Sequence, residues 1–136
     1  MISCRSFRRE LTAIPEAARW LDAMAEEARV PEALLFGMQI CLEELFSNIV
    51  RHGGPVDPAR SEVRIAIEAG AGFTRLTFED EGPAFDVAKA VLHPVASSIE
   101  DVRPGGLGIR LVRAFSRNLT YTRAGNCNRV TIDFSE

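Results

Sequence analysis

The chain has 136 residues, 46% of them apolar and 26% charged, with a formal net charge of −3. That composition suits a packed globular protein, one domain spanning 1–136. The acidic balance argues against a main task of gripping nucleic acid, and the absence of any apolar run near ~18 residues argues against a membrane partner.

Taken in chain order, Ile2 to Arg9 reads as a first strand, and Pro15 to Ala28 as a helix with proline in its first turn. Pro31 restarts a second helix that runs to His52 and stops at Gly53-Gly54. The period then changes to two: EVRIAIE (62–68) alternates, AGAG (69–72) turns, and FTRLTFED (73–80) returns. Residues 81–107 form a long connection of the kind used as a lid or binding loop, with a short helical piece from Val87 to Leu92. Gly108 to Ser116 reads as a third helix, and LTYTR and NRVTIDF as a hairpin around AGNC. The order β-α-α-β-β-loop-α-β-β predicts an α+β two-layer sandwich, a mainly antiparallel mixed sheet with helices on one face.

The cysteines are Cys4, Cys41 and Cys127, an odd number with no CxxC, which predicts free thiols and a reducing, cytoplasmic compartment. MISCRSFRRE lacks the apolar core of a signal peptide. Lys89 is the single lysine against fifteen arginines, so a phosphate-binding lysine in a glycine loop has almost no candidate. With His52 and His93 the only histidines and no Cys/His cluster, a zinc site is not expected.

The second helix carries a polar seam. Leu34, Leu35, Met38, Cys41, Leu42, Leu45, Phe46 and Ile49 make one broad apolar stripe at helical spacing, and Glu44 and Asn48 stack one turn apart on its border. A solvated helix edge would look the same. If the border faces a cleft, the carboxylate can take a proton and the amide oxygen can ligate Mg²⁺. His52 reads as a last-turn residue near free carbonyls.

Two glycine motifs follow. FEDEGPAFD (78–86) puts Asp80 at a strand end, where it can accept from an exocyclic amine, with Gly82 leaving room for a ligand. An ordinary acidic turn is the alternative. RPGGLGIRLVRAF (103–115) places Gly105, Gly106 and Gly108 immediately before an amphipathic helix, a backbone N–H arrangement suited to an anion. It is neither a Walker A loop, lacking the lysine and hydroxyl, nor a dinucleotide fingerprint, lacking a βαβ unit.

Together these segments resemble the N, G1 and G2 boxes of the GHKL ATPase superfamily, which includes gyrase, histidine kinases and MutL-like proteins. EELFSNIVRHG, DEGPAFD, GGLGIRLVR and NRVTI resemble most the anti-sigma factor serine/threonine kinases of the RsbW and SpoIIAB type, over about Phe7 to Phe134. The resemblance implies the Bergerat ATP-binding fold and ATP with Mg²⁺ as cofactors. It implies Glu44 as general base, Asn48 as the magnesium ligand, Asp80 as the adenine-recognising carboxylate and Gly82 beneath the base. It also implies Gly105, Gly106 and Gly108 as the phosphate loop, Thr131 as support for the adenine contact, and a lid from Pro83 to Pro104. Arg103 is a candidate substitute for a phosphate-binding lysine. The implied partners are an anti-sigma factor antagonist of the STAS fold and a sigma factor, with a possible homodimer.

Other readings stay open. The chain could be a non-catalytic partner-switching module that holds ATP, or a detached histidine-kinase catalytic domain. Nucleic-acid binding through Arg110, Arg113 and Arg117 runs against the net charge and lacks an aromatic platform. Arg19 could sit at an interface or be a solvated helix charge. Arg5, Arg8 and Arg9 could form an acidic-partner patch or blunt an edge strand.

Overall fold

Period-two segments and long apolar stripes sort themselves into two layers. The computed structural model describes residues 1–53, 61–86 and 115–135. Strand β1 (Ile2–Arg8) leads through a short turn of 3-10 helix (Leu11–Ala13) into helix α1 (Ile14–Glu27), followed by α2 (Glu32–His52). Strands β2 (Glu62–Gly70), β3 (Phe73–Asp80), β4 (Asn118–Ala124) and β5 (Cys127–Phe134) complete the described elements. The expected helical piece at 87–92, most of the third helix (108–116) and most of the lid lie outside the described residues.

The five strands form one sheet in the order β1-β2-β3-β5-β4, and every neighbouring pair is antiparallel. The parallel component expected of a mixed sheet is therefore absent among the described strands. Hairpins explain this: β2 turns into β3 across Ala71-Gly72, and β4 into β5 across Gly125-Asn126. Gly72 and Gly125 adopt φ of +83° and +59°, where a side chain would strain the backbone.

Alternation decides which face is buried. Val63, Ile65 and Ile67 of β2, Leu76 and Phe78 of β3, and Val130, Ile132 and Phe134 of β5 all point into the core. Their partners across the helical layer include Leu21 of α1 and Met38, Cys41, Leu42, Leu45 and Phe46 of α2, all at most 1% exposed. Burial pushes the Cys41 thiol up to about 12, so it packs as a small apolar group. Phe7 stands edge-on to Trp20 and to Phe46, with ring centroids 5.8 and 6.5 Å apart. By length and composition α2 would pass as a membrane span; its apolar face packs on the sheet instead. The other sheet face is polar, laced by the cross-strand pairs Arg75–Asp133 and Arg129–Glu79. Such exposed pairs contribute little each.

Two sequence expectations change here. Arg9 is not part of a surface patch: it is 4% exposed, on the helix-covered side. The alternation that points Phe7 inward points Arg9 inward too, two residues on. Gly53 ends α2 with φ −73°, so the stop needs no left-handed residue. Its lack of a side chain serves close approach, because a Cβ there would collide with the Arg9 guanidinium and come within 2.6 Å of the Ile49 carbonyl oxygen.

The aromatic cluster joins strand, α1 and α2, so Phe46→Ala should cost about 3–5 kcal/mol in urea denaturation with an unchanged slope. A loss below ~1 kcal/mol would mean the site collapses around the gap.

Candidate functional site

The C-terminal half of α2 supplies one wall of a cleft, through Leu45, Asn48, Ile49 and His52. The end of β3 and the turn after it supply Asp80, Pro83 and Phe85, and β5 supplies Asn128 and Val130. About 360 Å³ of empty space, open to solvent, lies between them. The lining mixes apolar walls with four polar side chains, Asn48, His52, Asp80 and Asn128, a combination suited to a flat heteroaromatic ring with polar edges. His52 and Phe85 stack on one another at the wall, centroids 4.1 Å apart and planes 12° apart.

Asp80 is 7% exposed. The Gly82 backbone N–H donates to its Oδ2 at 2.9 Å, and the Asn128 side-chain amide donates to the same oxygen at 3.4 Å. Burial pushes the Asp80 carboxyl above its ordinary range. The Gly82 and Asn128 hydrogen bonds and the charges of Arg9 and Arg123 pull it back in part. Gly82 is required by space: a Cβ on it would lie 2.8 Å from Asp80 Oδ2 and 3.2 Å from both Arg9 Nη1 and Gly53 Cα.

The turn is tied down from the far hairpin. Arg123 Nη1 donates to the Gly82 carbonyl at 2.6 Å. Asn128 Nδ2 donates to the Pro83 carbonyl at 2.9 Å, and the Tyr121 hydroxyl donates to Asn128 Oδ1 at 2.5 Å. The sequence alone did not single out Asn128, Arg123 or Tyr121, and the resemblance implied Thr131 as support for the adenine contact. Thr131 pairs with Thr77 on the opposite sheet face, whereas Asn128 pairs with Asp80 itself. Counting back from Asp80 along an antiparallel partner would have found Asn128, but the strand register is not written in either strand alone.

Asn48 is 6% exposed, and its Nδ2 is buried with no hydrogen-bond partner among the described residues. Glu44 is half-buried one turn earlier, and its Oε2 is likewise buried and unpaired. Burial pushes the Glu44 carboxyl up, opposed by the Arg51 charge and reinforced by Glu43. Glu44, one turn before Asn48, is not among the lining residues, Asn48 and Asp80 line the cleft together, and Gly82 is hydrogen-bonded to Asp80. Arg103, Gly105, Gly106 and Gly108 lie outside the described residues.

The sequence profile of the histidine kinase-like ATPase domain matches residues 7–134. The chain belongs to this family. It is 33% identical over 122 residues to the serine/threonine-protein kinase BtrW of Bordetella bronchiseptica, covering 89% of this chain and 84% of that one. The fold is similar to that of the RsbU and RsbW domains of a Mycobacterium tuberculosis protein, with a TM-score of 0.71 at 14% identity. That match covers 99% of this chain and 32% of the longer one. The SiaB–SiaC complex of Pseudomonas aeruginosa contains a similar fold, with a TM-score of 0.61 at 10% identity, covering 98% of this chain and 89% of that one.

Membership of a GHKL ATPase family implies ATP binding. An ionised carboxylate such as Asp80 accepts hydrogen bonds and donates none. The buried Glu44 Oε2, an acceptor, and Asn48 Nδ2, a donor, have no hydrogen-bond partner among the described residues. Among the described residues no three carboxylate, His or Cys side chains cluster to hold a metal alone. A cation here would take most of its oxygen ligands from phosphates and water, as Mg²⁺ does.

Two outcomes test this geometry. Asn128→Ala should weaken ATP binding about tenfold or more in calorimetry, through loss of a hydrogen bond to a charged group; Thr131→Val should leave it unchanged. Equal effects would remove the distinction between the faces. The second concerns stability. Because the Asp80 pKa is raised in the folded state, its contribution is most favourable at low pH and is lost as pH rises through that pKa. Asp80→Asn should therefore raise the thermal midpoint of nucleotide-free protein, increasingly so from about pH 4 to about pH 7. A lowered midpoint at about pH 7 would contradict it.

Proposed function

We propose that the chain is an ATP-dependent serine/threonine protein kinase that phosphorylates a STAS-type anti-sigma antagonist and, as the other half of its cycle, sequesters a sigma factor. The observation that carries this is a pair of buried polar atoms without partners among the described residues, on Glu44 and Asn48, one helical turn apart beside a cleft headed by Asp80. The identity to a serine/threonine-protein kinase over 89% of the chain supports the reaction class. The structural likeness to RsbW domains and to the SiaB–SiaC complex, at low identity, supports the fold alone.

In this reading Asp80 accepts from the purine amino group, and Gly82 leaves room for the base. The apolar walls from Leu45, Ile49 and Val130 exclude water from the ring. Asn48 is the residue that would hold Mg²⁺, which when bound offsets phosphate charge. Glu44 Oε2 takes the proton from an incoming serine or threonine hydroxyl as its oxygen attacks the γ-phosphorus and ADP leaves. The reaction is mainly positioning and charge neutralisation, so a side chain already desolvated at the right place contributes more than a reactive one elsewhere. Burial makes Glu44 a stronger base than an exposed glutamate, at the cost of needing a higher pH to be ionised.

The test is incubation with ATP, Mg²⁺ and a STAS-type protein, with mass spectrometry of the product. The expected product is an acid-stable phosphoserine or phosphothreonine; acid-labile phosphohistidine would instead favour a detached histidine-kinase catalytic domain. Glu44→Gln should lower the transfer rate about 10²–10⁴-fold with ATP affinity retained. The wild-type rate should fall with decreasing pH at a midpoint above the ordinary glutamate range, because the raised pKa protonates the base early. A Glu44→Gln protein that transfers phosphate at the wild-type rate rules out the proposed base.

A further inference from the structure

Among the described residues Arg9 is the most deeply buried charged side chain. Its backbone N–H donates to the Ser61 carbonyl at 2.7 Å, which extends the β1–β2 pairing past the end of β1. Its Nη1 donates to the Gly53 carbonyl at 2.5 Å, satisfying a carbonyl at the end of α2. The same nitrogen, Gly53 Cα and Asp80 Oδ2 all converge on the space where a Gly82 side chain would stand. One guanidinium thus meets the residue that caps the helix bearing Glu44 and Asn48, and the turn that follows Asp80.

We propose that Arg9 is a positioning and specificity-determining residue, tying the end of α2 to the turn after β3 and holding Asp80 as an acceptor for a 6-amino purine against a 6-oxo purine. The proposal rests on the nucleotide-site reading above and goes beyond it. An ionised carboxylate only accepts hydrogen bonds, so it matches an amino group and repels a carbonyl oxygen. A protonated carboxyl gains an O–H donor and loses that discrimination. Asp80 is buried enough to be pushed toward the protonated form, so something must oppose it.

The groups around Asp80 narrow the choice. From α2, His52 lines the same cleft. From β5 come the Asn128 amide, which carries no charge, and the Cys127 thiol, whose own pKa Asp80 helps to raise. From β4 comes Arg123, which is exposed, so water screens its charge. Its neighbour Glu79 lies on the opposite sheet face beside Arg129, and Glu81 is exposed. Of the two cations that act on Asp80, after the Gly82 and Asn128 hydrogen bonds, Arg9 is the buried one, and its Nη1 shares with Asp80 Oδ2 the space beside Gly82.

The experiment measures affinity for ATP and for inosine triphosphate, which carries a 6-oxo group, across pH in the full chain. Wild type, Arg9→Gln and Arg9→Lys are compared. Glutamine keeps a donor for the Gly53 carbonyl and loses the charge; lysine keeps the charge and loses the fork. With Arg9→Gln, the acid limb of ATP binding should move up by about one pH unit, and the preference for ATP near pH 6 should fall about tenfold. Arg9→Lys should keep the limb and the preference, even where its overall affinity drops. A glutamine variant with the wild-type limb and preference overturns the proposal. So does a uniform loss of both nucleotides at every pH in both variants, which is what a purely structural tie gives. Should Arg9→Gln not fold, Arg9→Lys decides alone: a retained limb and preference support the proposal, and a shifted limb overturns it. Wild-type protein that binds neither nucleotide is a separate result, and refutes the site reading itself.

Discussion

A carboxyl group is buried in a place that favours its neutral form, and much of the structure around the cleft bears on it from the opposite direction. Asp80 sits at the end of a central strand, beneath α2, with most of its water removed. Its compensation comes from short range and long range at once. The Gly82 N–H and Asn128 amide are local, while Arg9 and Arg123 arrive from opposite ends of the sheet. Three of these four groups also hold the turn after β3 or approach it closely, so the device that charges the residue is the device that shapes the loop. Free energy lost to desolvation is recovered only if a ligand supplies the missing partner, which is how a binding site differs from a core.

The same logic runs along α2. Its apolar stripe would be complete if Glu44 and Asn48 were leucines, and the helix would pack more favourably. Instead two polar atoms are buried without partners among the described residues. Such atoms are uncommon in native structures, and where they occur beside a cleft they point to an absent guest.

Much of this was legible in the amino-acid sequence because it depends on local periodicity. The α2 stripe, the two polar positions one turn apart and the alternating strands each follow from spacing within one segment. The order of strands within the sheet and the identity of the facing residues do not. Asp80 meets Asn128 through a register set across 48 residues of chain, and the family resemblance pointed to Thr131, which lies on the other side of the sheet. Arg9 was legible in principle, since Phe7 gave the inward phase, but three arginines in a row of eight residues look like surface. Charge suggested solvent, and position overruled it.

The placement of Asn128 depends on the two-residue bend at Gly125-Asn126, which sets how β5 runs back past β4. Composition there has some latitude, provided one residue tolerates a left-handed backbone. Length has none: one added or removed residue would rotate every later side chain to the reverse side, presenting Cys127 or Arg129 to the pocket and sending Val130 and Ile132 outward. A distant surface bend, touching no ligand, thus governs the chemistry of the pocket by parity alone.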